Sequence, residues 1–400
     1  MHCKKMPFFD EKSCAFRLLN PASKKEMRCV MPPLSIMIKP ASSLCNMRCT
    51  YCFYEDEVNN RSIKNYGIMS QDTLEKIVKR AFIYATHHVS FAFQGGEPTL
   101  AGAPFFRAFS GFLRKYKKGQ QVNCSIQTNG LHLSDELLDV LAENNFLVGV
   151  SLDGTKETHD ALRPDAKRMP TYDRIVANIQ KMQERGIPFN ILCVISKTVA
   201  KQGKAVLEDL KKYEYVQFIP CLDNLDGVVG EEHLTQSDYA TFLKDTFDIY
   251  QREFWKGNLL SIRNFDNYIG ILTGRAPENC AMRGICEHYY LFESNGNCYP
   301  CDFYALDEWK MGNIHEANFI SLSKSPLADA FRNRSLHKED ECKTCQWFGL
   351  CRGGCCRDRE PFMDGKPQRY RHCQALKEFF SYAIEGMTKM AKALSEGQKR

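Results

Sequence analysis

Nineteen cysteines in a 400-residue chain constrain this fold more than any other feature. A chain this long buries a core without covalent staples, so disulfides are not needed to hold it together. The sequence has no secretory apolar segment and no apolar run long enough to span a bilayer. We therefore expect a cytoplasmic protein with no membrane partner, whose reduced thiols at this density serve metal. They are unevenly placed: one tight group, Cys45, Cys49 and Cys52, lies near the start, and most of the others follow Cys280. Two separate metal regions are implied. The 54 basic and 48 acidic side chains, for a net charge of +6, are spread through the whole sequence, too diffusely to argue for nucleic acid.

From Leu34 onward, short apolar runs rich in β-branched and aromatic residues alternate with longer helical stretches, the pattern of βα units around a parallel sheet. The runs are 34–39, 89–94, 122–127, 146–152, 188–195 and 215–221, and their near-continuous hydrophobicity indicates strands covered on both faces. Segments 70–86, 134–144 and 171–185 begin at Ser, Ser and Thr, as helix N-termini do. Six such repeats make an incomplete barrel or an open doubly wound sheet, and in either case the working groups belong at the C-terminal strand ends. Polar and Gly-bearing motifs follow the first four runs: KPASSLC, QGGEP, QTNG and SLDG. Residues 235–257 read as a helix, periodicity fades from about 275 to 373, and a final helix spans 374–395. Residues 1–30 show neither alternation nor a helical stripe; they are expected to be a weakly ordered extension, or to precede a true start at Met31.

Cys45, Cys49 and Cys52 form C-x3-C-x2-C directly after the first strand. Three thiolates are one fewer than normally hold an iron–sulfur cluster, which leaves one iron open; a zinc site completed by a distant residue would use the same triplet. With Tyr51 before the last cysteine, and Gln94-Gly95-Gly96-Glu97-Pro98 at the second strand end, the sequence resembles the radical S-adenosylmethionine (SAM) superfamily. That resemblance implies a partial (β/α)6 TIM-like barrel and a [4Fe-4S] cluster whose open iron chelates S-adenosylmethionine. Gly96 and Glu97 are candidates for the methionine end of the cofactor: glycine lets the backbone approach closely, and a carboxylate pairs with an ammonium. Tyr51, Ser151, Arg163 and Leu222 match other cofactor-contacting positions.

The C-terminal cysteines include a C-x2-C-x5-C-x3-C core from Cys342 to Cys355, which alone is also compatible with a zinc ribbon. Beside the N-terminal triplet it resembles the SPASM extension, which carries two auxiliary four-iron clusters. The resemblance gives Cys280, Cys286, Cys301 and Cys355 to one cluster, and Cys342, Cys345, Cys351 and Cys373 to the other. Cys298 and Cys356 adjoin these positions and are left out on spacing. Cys124, Cys193 and Cys221 lie in strands and read as small core residues.

From about Met31 to the C-terminal helix, segments such as MPPLSIMIKPASSLCNMRCTYCFY, FAFQGGEPTLAG and YPCDFYALDEWKMGNI resemble the anaerobic sulfatase-maturating enzymes. Those oxidoreductases convert an active-site Cys or Ser of a sulfatase to Cα-formylglycine, cleaving S-adenosylmethionine to 5′-deoxyadenosine and methionine. The resemblance implies three [4Fe-4S] clusters, a sulfatase polypeptide as partner, and a flavodoxin- or ferredoxin-like electron donor. It makes Asp302 the catalytic base and brings Tyr54 and Gln94 to the substrate. Anchoring the neighbouring residue in a rigid cluster would hold such a base in place. The expected division is an extension over 1–30, the barrel over 31–257, the SPASM domain over 258–373 and a helix over 374–400. The rival readings are a SPASM maturase forming thioethers in a ribosomal peptide and a zinc-organised binding protein.

Overall fold

A computed structural model of the chain describes residues 33–287 and 289–397; the expectation for residues 1–30 lies outside them. Each of the six expected strands forms: β1 (Leu34–Ile38), β2 (His88–Phe93), β3 (Gln121–Thr128), β4 (Leu147–Ser151), β5 (Phe189–Ile195) and β6 (Tyr215–Pro220). They pair in chain order and all in parallel. A doubly wound sheet would reverse its strand order at a switch point. Here there is no reversal, so right-handed crossovers lay all the helices on one face and leave the other as a lumen. The fold is a partial (β/α)6 barrel.

The two faces differ in chemistry because alternate residues point opposite ways. Outward side chains such as Ile36, Phe91, Ile126, Val148 and Ile191 are buried under the helices. Phe93 anchors that layer, with its ring centroid 4.9–6.2 Å from those of Phe105, Phe106, Phe109 and Phe146. On the inward face, Gln94, Ser125, Gln127, Asn190 and Gln217 line a cavity of about 930 Å³.

Ser70 and Ser134 cap their helices as expected, accepting hydrogen bonds from the Thr73 and Leu137 amides. Thr171 does not: its hydroxyl donates to the Arg163 carbonyl at 2.6 Å, and Asp160 accepts from the Thr171 and Tyr172 amides instead. The long helices run Gln236–Lys256 and Cys373–Gly397. They pack on each other through Phe247 and Phe379, whose rings are 5.7 Å apart.

Four short strands are additional to the sequence reading: β7 (Ser261–Ile262), β8 (Tyr290–Phe292), β9 (Asn297–Tyr299) and β10 (Gly312–Asn313). They extend the barrel sheet at both edges to the order β10-β9-β8-β1-β2-β3-β4-β5-β6-β7. The cysteine-rich stretch is thus joined to the barrel by a strand ladder, with Ile36 opposite Tyr290 and Ile38 opposite Phe292. Among the described residues no helix is long and apolar enough to cross a membrane.

Candidate functional site

The chain leaves β1 into the loop that carries Cys45, Cys49 and Cys52, and Cys52 directly precedes the helix α1 (Phe53–Asn59). Three backbone hydrogen bonds fix the loop on the segment after β4: Arg48 N–H to the Pro164 carbonyl at 2.9 Å, Thr50 N–H to the Leu162 carbonyl at 3.0 Å and Ala166 N–H to the Asn46 carbonyl at 2.9 Å. All described cysteines are free thiols. Burial pushes the Cys45 thiol up to about 11 and Cys52 to about 12, and Cys49 adds repulsion to both. The three half-buried thiols therefore lie close to one another. Asn129, from QTNG, borders them on one side: its side-chain amide donates to Asn46 Oδ1 at 2.7 Å and to Cys45 Sγ at 3.8 Å.

The Gly-Gly-Glu-Pro turn docks against this loop. Glu97 N–H donates to the Leu44 carbonyl at 2.7 Å, and Gly96 has φ of +46°, where a Cβ would stand 2.3 Å from that same oxygen. Only glycine fits so close an approach. Glu97 is placed differently from the sequence expectation that its carboxylate meets a ligand ammonium. One oxygen accepts from Thr99 N–H, Thr99 Oγ1 and Thr128 Oγ1, and the other from Asn129 N–H. The side chain clamps the ends of β2 and β3 together. Gly96→Ala is expected to cost about 1–3 kcal/mol in backbone strain, read as a lowered anaerobic melting temperature. The accompanying shift of the cysteine loop should appear as loss of iron after reconstitution.

Across the mouth, Tyr51 donates to the Asp153 carboxylate and accepts from Arg163 Nη1 at 2.8 Å. Asp153 Oδ1 is held by Val194 N–H at 3.0 Å. Burial pushes the Asp153 carboxyl up, opposed by Arg163. Arg163 Nε is buried with no hydrogen-bond partner, a donor available to an anionic ligand group beside the three cysteines. Ser151 ends β4 and Leu222 lies two residues beyond β6, both half-buried at C-terminal strand ends. Asp153 escaped sequence reading although SLDG was singled out, because a strand-end aspartate usually caps a turn.

Asp302 follows Cys301 and gathers side chains from two distant elements. Its Oδ2 accepts from Tyr54 OH of α1 at 2.7 Å and from Gln94 Nε2 beyond β2 at 2.8 Å. Its own N–H donates to Tyr289 OH at 2.8 Å. Oδ1 is buried and has no partner. Burial raises the Asp302 pKa, while the Lys39 charge and the Tyr54 hydrogen bond oppose that rise. The three residues thus meet as one constellation.

The remaining candidate cysteines form two groups. Cys280 repels Cys286, Cys301 and Cys355 electrostatically, and a small cavity of about 10 Å³ lies among Cys280, Cys286 and Cys355. Cys342, Cys345, Cys351 and Cys373 repel one another around a second small cavity of about 30 Å³. Cys356, set aside on spacing, is hydrogen-bonded to Cys286, whereas Cys298 is in the hydrophobic core with Cys124, Cys193 and Cys221. Among the described residues no three His, Cys, Asp or Glu side chains close on one ion-sized point; the thiols ring cavities instead. The donor set is all sulfur, which suits iron–sulfur chemistry.

Comparison with known proteins matches residues 40–210 to the radical SAM superfamily and residues 284–346 to an iron–sulfur cluster-binding domain named SPASM. A cysteine-type anaerobic sulfatase-maturating enzyme of Clostridium novyi (strain NT) is 44% identical over 92% of this chain and 100% of its own. A serine-type enzyme of Bacteroides thetaiotaomicron is 27% identical over 92% and 93%. The solved structure of native anSMEcpe with bound AdoMet and Cp18Cys peptide superposes with a TM-score of 0.86 at 41% identity, covering 91% of this chain and 100% of that one. Streptococcus suis SuiB shares the fold at 18% identity, with a TM-score of 0.63 over 86% and 77%.

Proposed function

Because this chain belongs to the anaerobic sulfatase-maturating enzymes of the radical SAM superfamily, we propose that it oxidises an active-site cysteine of a sulfatase polypeptide to Cα-formylglycine. Cysteine rather than serine is favoured by the 44% identity to a cysteine-type relative against 27% to a serine-type one. The observation that carries the chemistry is the Asp302 carboxylate, whose Oδ2 is fixed by two donors while Oδ1 is buried without one. A buried acceptor with a missing partner is costly, and a substrate thiol supplies that partner.

When bound, S-adenosylmethionine would supply hydrogen-atom removal at Cβ of the target residue and an iron–sulfur cluster would take up the second electron, after which water would displace hydrogen sulfide from the thioaldehyde to leave the aldehyde. Asp302 Oδ1 takes the thiol proton, and Tyr54 and Gln94 hold its other oxygen so that the carboxylate cannot swing away. Cys45, Cys49 and Cys52 would hold the N-terminal [4Fe-4S] cluster. The Gly95–Glu97 backbone with Tyr51, Ser151, Arg163 and Leu222 would hold S-adenosylmethionine, Arg163 through its unpaired Nε. Cys280, Cys286, Cys301 and Cys355 would hold one auxiliary cluster, and Cys342, Cys345, Cys351 and Cys373 the other. All of these eleven thiols but Cys280 are partly buried.

The working division is a barrel over 31–257 and a SPASM unit over 258–373, with a flavodoxin- or ferredoxin-like protein as electron donor and the cytoplasm as the site of action. Reconstituted protein should contain about twelve irons per chain if three four-iron clusters are present. Anaerobic incubation with S-adenosylmethionine, reductant and a cysteine-containing sulfatase peptide should yield the formylglycine mass. A thioether product, or zinc in place of iron, would overturn this reading.

A further inference from the structure

Beneath the Asp302 constellation lie four charges that the chemistry above does not use. Lys39, Glu57 and Glu293 are 0–2% exposed, and Arg61 is 6% exposed. Lys39 Nζ is 2.8 Å from Glu57 Oε1 and 3.2 Å from Glu293 Oε1, while Arg61 Nη1 is 2.6 Å from Glu293 and 3.6 Å from Glu57. Removing four charges from water is an expensive way to join elements that apolar side chains could join equally well. Even so, Glu57 Oε2 and Arg61 Nε remain buried without partners.

Their origins explain what the arrangement does. Lys39 and Glu293 are the residues immediately after β1 and β8, and Lys39 N–H donates to the Phe292 carbonyl at 2.8 Å. Glu57 lies on α1 one turn beyond Tyr54. The Lys39 stem passes under Gly95, where a Cβ would come within 2.4 Å of Lys39 Cγ. Its ammonium ends 4.7 Å from the centroid of the Tyr54 ring, a cation–π contact, and the hydroxyl of that ring donates to Asp302. The quartet therefore joins the barrel, the cysteine loop's helix and the cysteine-rich segment at the ring that orients the base.

We propose that Lys39, held between Glu57 and Glu293, is a positioning residue that fixes Tyr54 and, through it, Asp302 relative to the substrate Cβ. This rests on the formylglycine-forming reading, and it makes no use of Lys39 as an acid, a base or a ligand.

The test uses the full-length, anaerobically reconstituted protein carrying Lys39→Met, and the double variant Lys39→Met/Glu57→Gln, which removes one charge of each sign. Both are assayed with S-adenosylmethionine, reductant and a cysteine-containing sulfatase peptide. A conversion-competent wild type keeps the functional reading separate from this inference; a wild type that makes no formylglycine would sink that reading instead. Expected for the double variant are full iron content, an unchanged electron paramagnetic resonance signal and an unchanged KM for peptide. Its kcat for formylglycine should fall by about 10²-fold, as small displacements of a reacting group can cause, with 5′-deoxyadenosine formed in excess of product. A double variant with wild-type kcat and one 5′-deoxyadenosine per formylglycine would overturn the proposal. So would loss of iron in both variants, because the quartet would then be a folding requirement alone.

Discussion

Asp302→Asn is expected to lower formylglycine formation by about 10²–10⁴-fold, the usual contribution of a general base, while 5′-deoxyadenosine is still released. The substitution preserves shape and changes only hydrogen-bond polarity. Tyr54 and Gln94 both present donors to Oδ2, so the amide turns its oxygen towards them and its NH2 occupies the Oδ1 position. A donor then faces the substrate thiol where an acceptor is required. Iron content should hold, because neighbouring Cys301 is untouched. Full conversion by this variant would remove Asp302 from the mechanism.

Replacing Cys45, Cys49 and Cys52 together by Ala is expected to abolish S-adenosylmethionine cleavage altogether and to lower iron from about twelve to about eight per chain. The chain should still fold, since its loop is fastened by backbone contacts to Leu162 and Pro164 that no thiol contributes to. The auxiliary cavities are lined by other cysteines, so their iron should remain. A triple variant that kept all its iron, or still produced 5′-deoxyadenosine under strong reduction, would place the open-iron cluster elsewhere.

The barrel was legible because the helix-facing residues of its strands are apolar, as are Leu34, Ile36 and Ile38 or Ile191, Cys193 and Ile195; the expected cover on both faces is not found, since the other face carries polar residues such as Gln127 and Asn190 that line the lumen. β8 to β10 were not, since strands of two or three residues carry no period; only their pairing with β1 makes them strands. The Cys45, Cys49 and Cys52 triplet stood out by spacing, whereas the two sets of four cysteines and the role of Asp302 came only from the resemblance to the sulfatase-maturating family. Glu97 was legible as important, but its four internal hydrogen bonds could not be foreseen, because Thr128 and Asn129 reach it from another strand. Nothing along the sequence sets Lys39, Glu57, Arg61 and Glu293 apart from the other charged residues. Their burial exists only once three separate segments converge, a tertiary effect that no local window contains. The same holds for Asp153, whose partners Tyr51 and Val194 lie 102 and 41 residues away.

The ladder between β1 and β8 also sets an order of events during synthesis. β1 is among the first strands to leave the ribosome, yet the neighbour on its outer side does not exist until translation reaches Tyr290. Throughout that interval the nascent barrel carries an open, apolar margin able to pair with any passing strand. Crowded production therefore favours inclusion bodies, and chaperone supply should raise the recovery of intact protein.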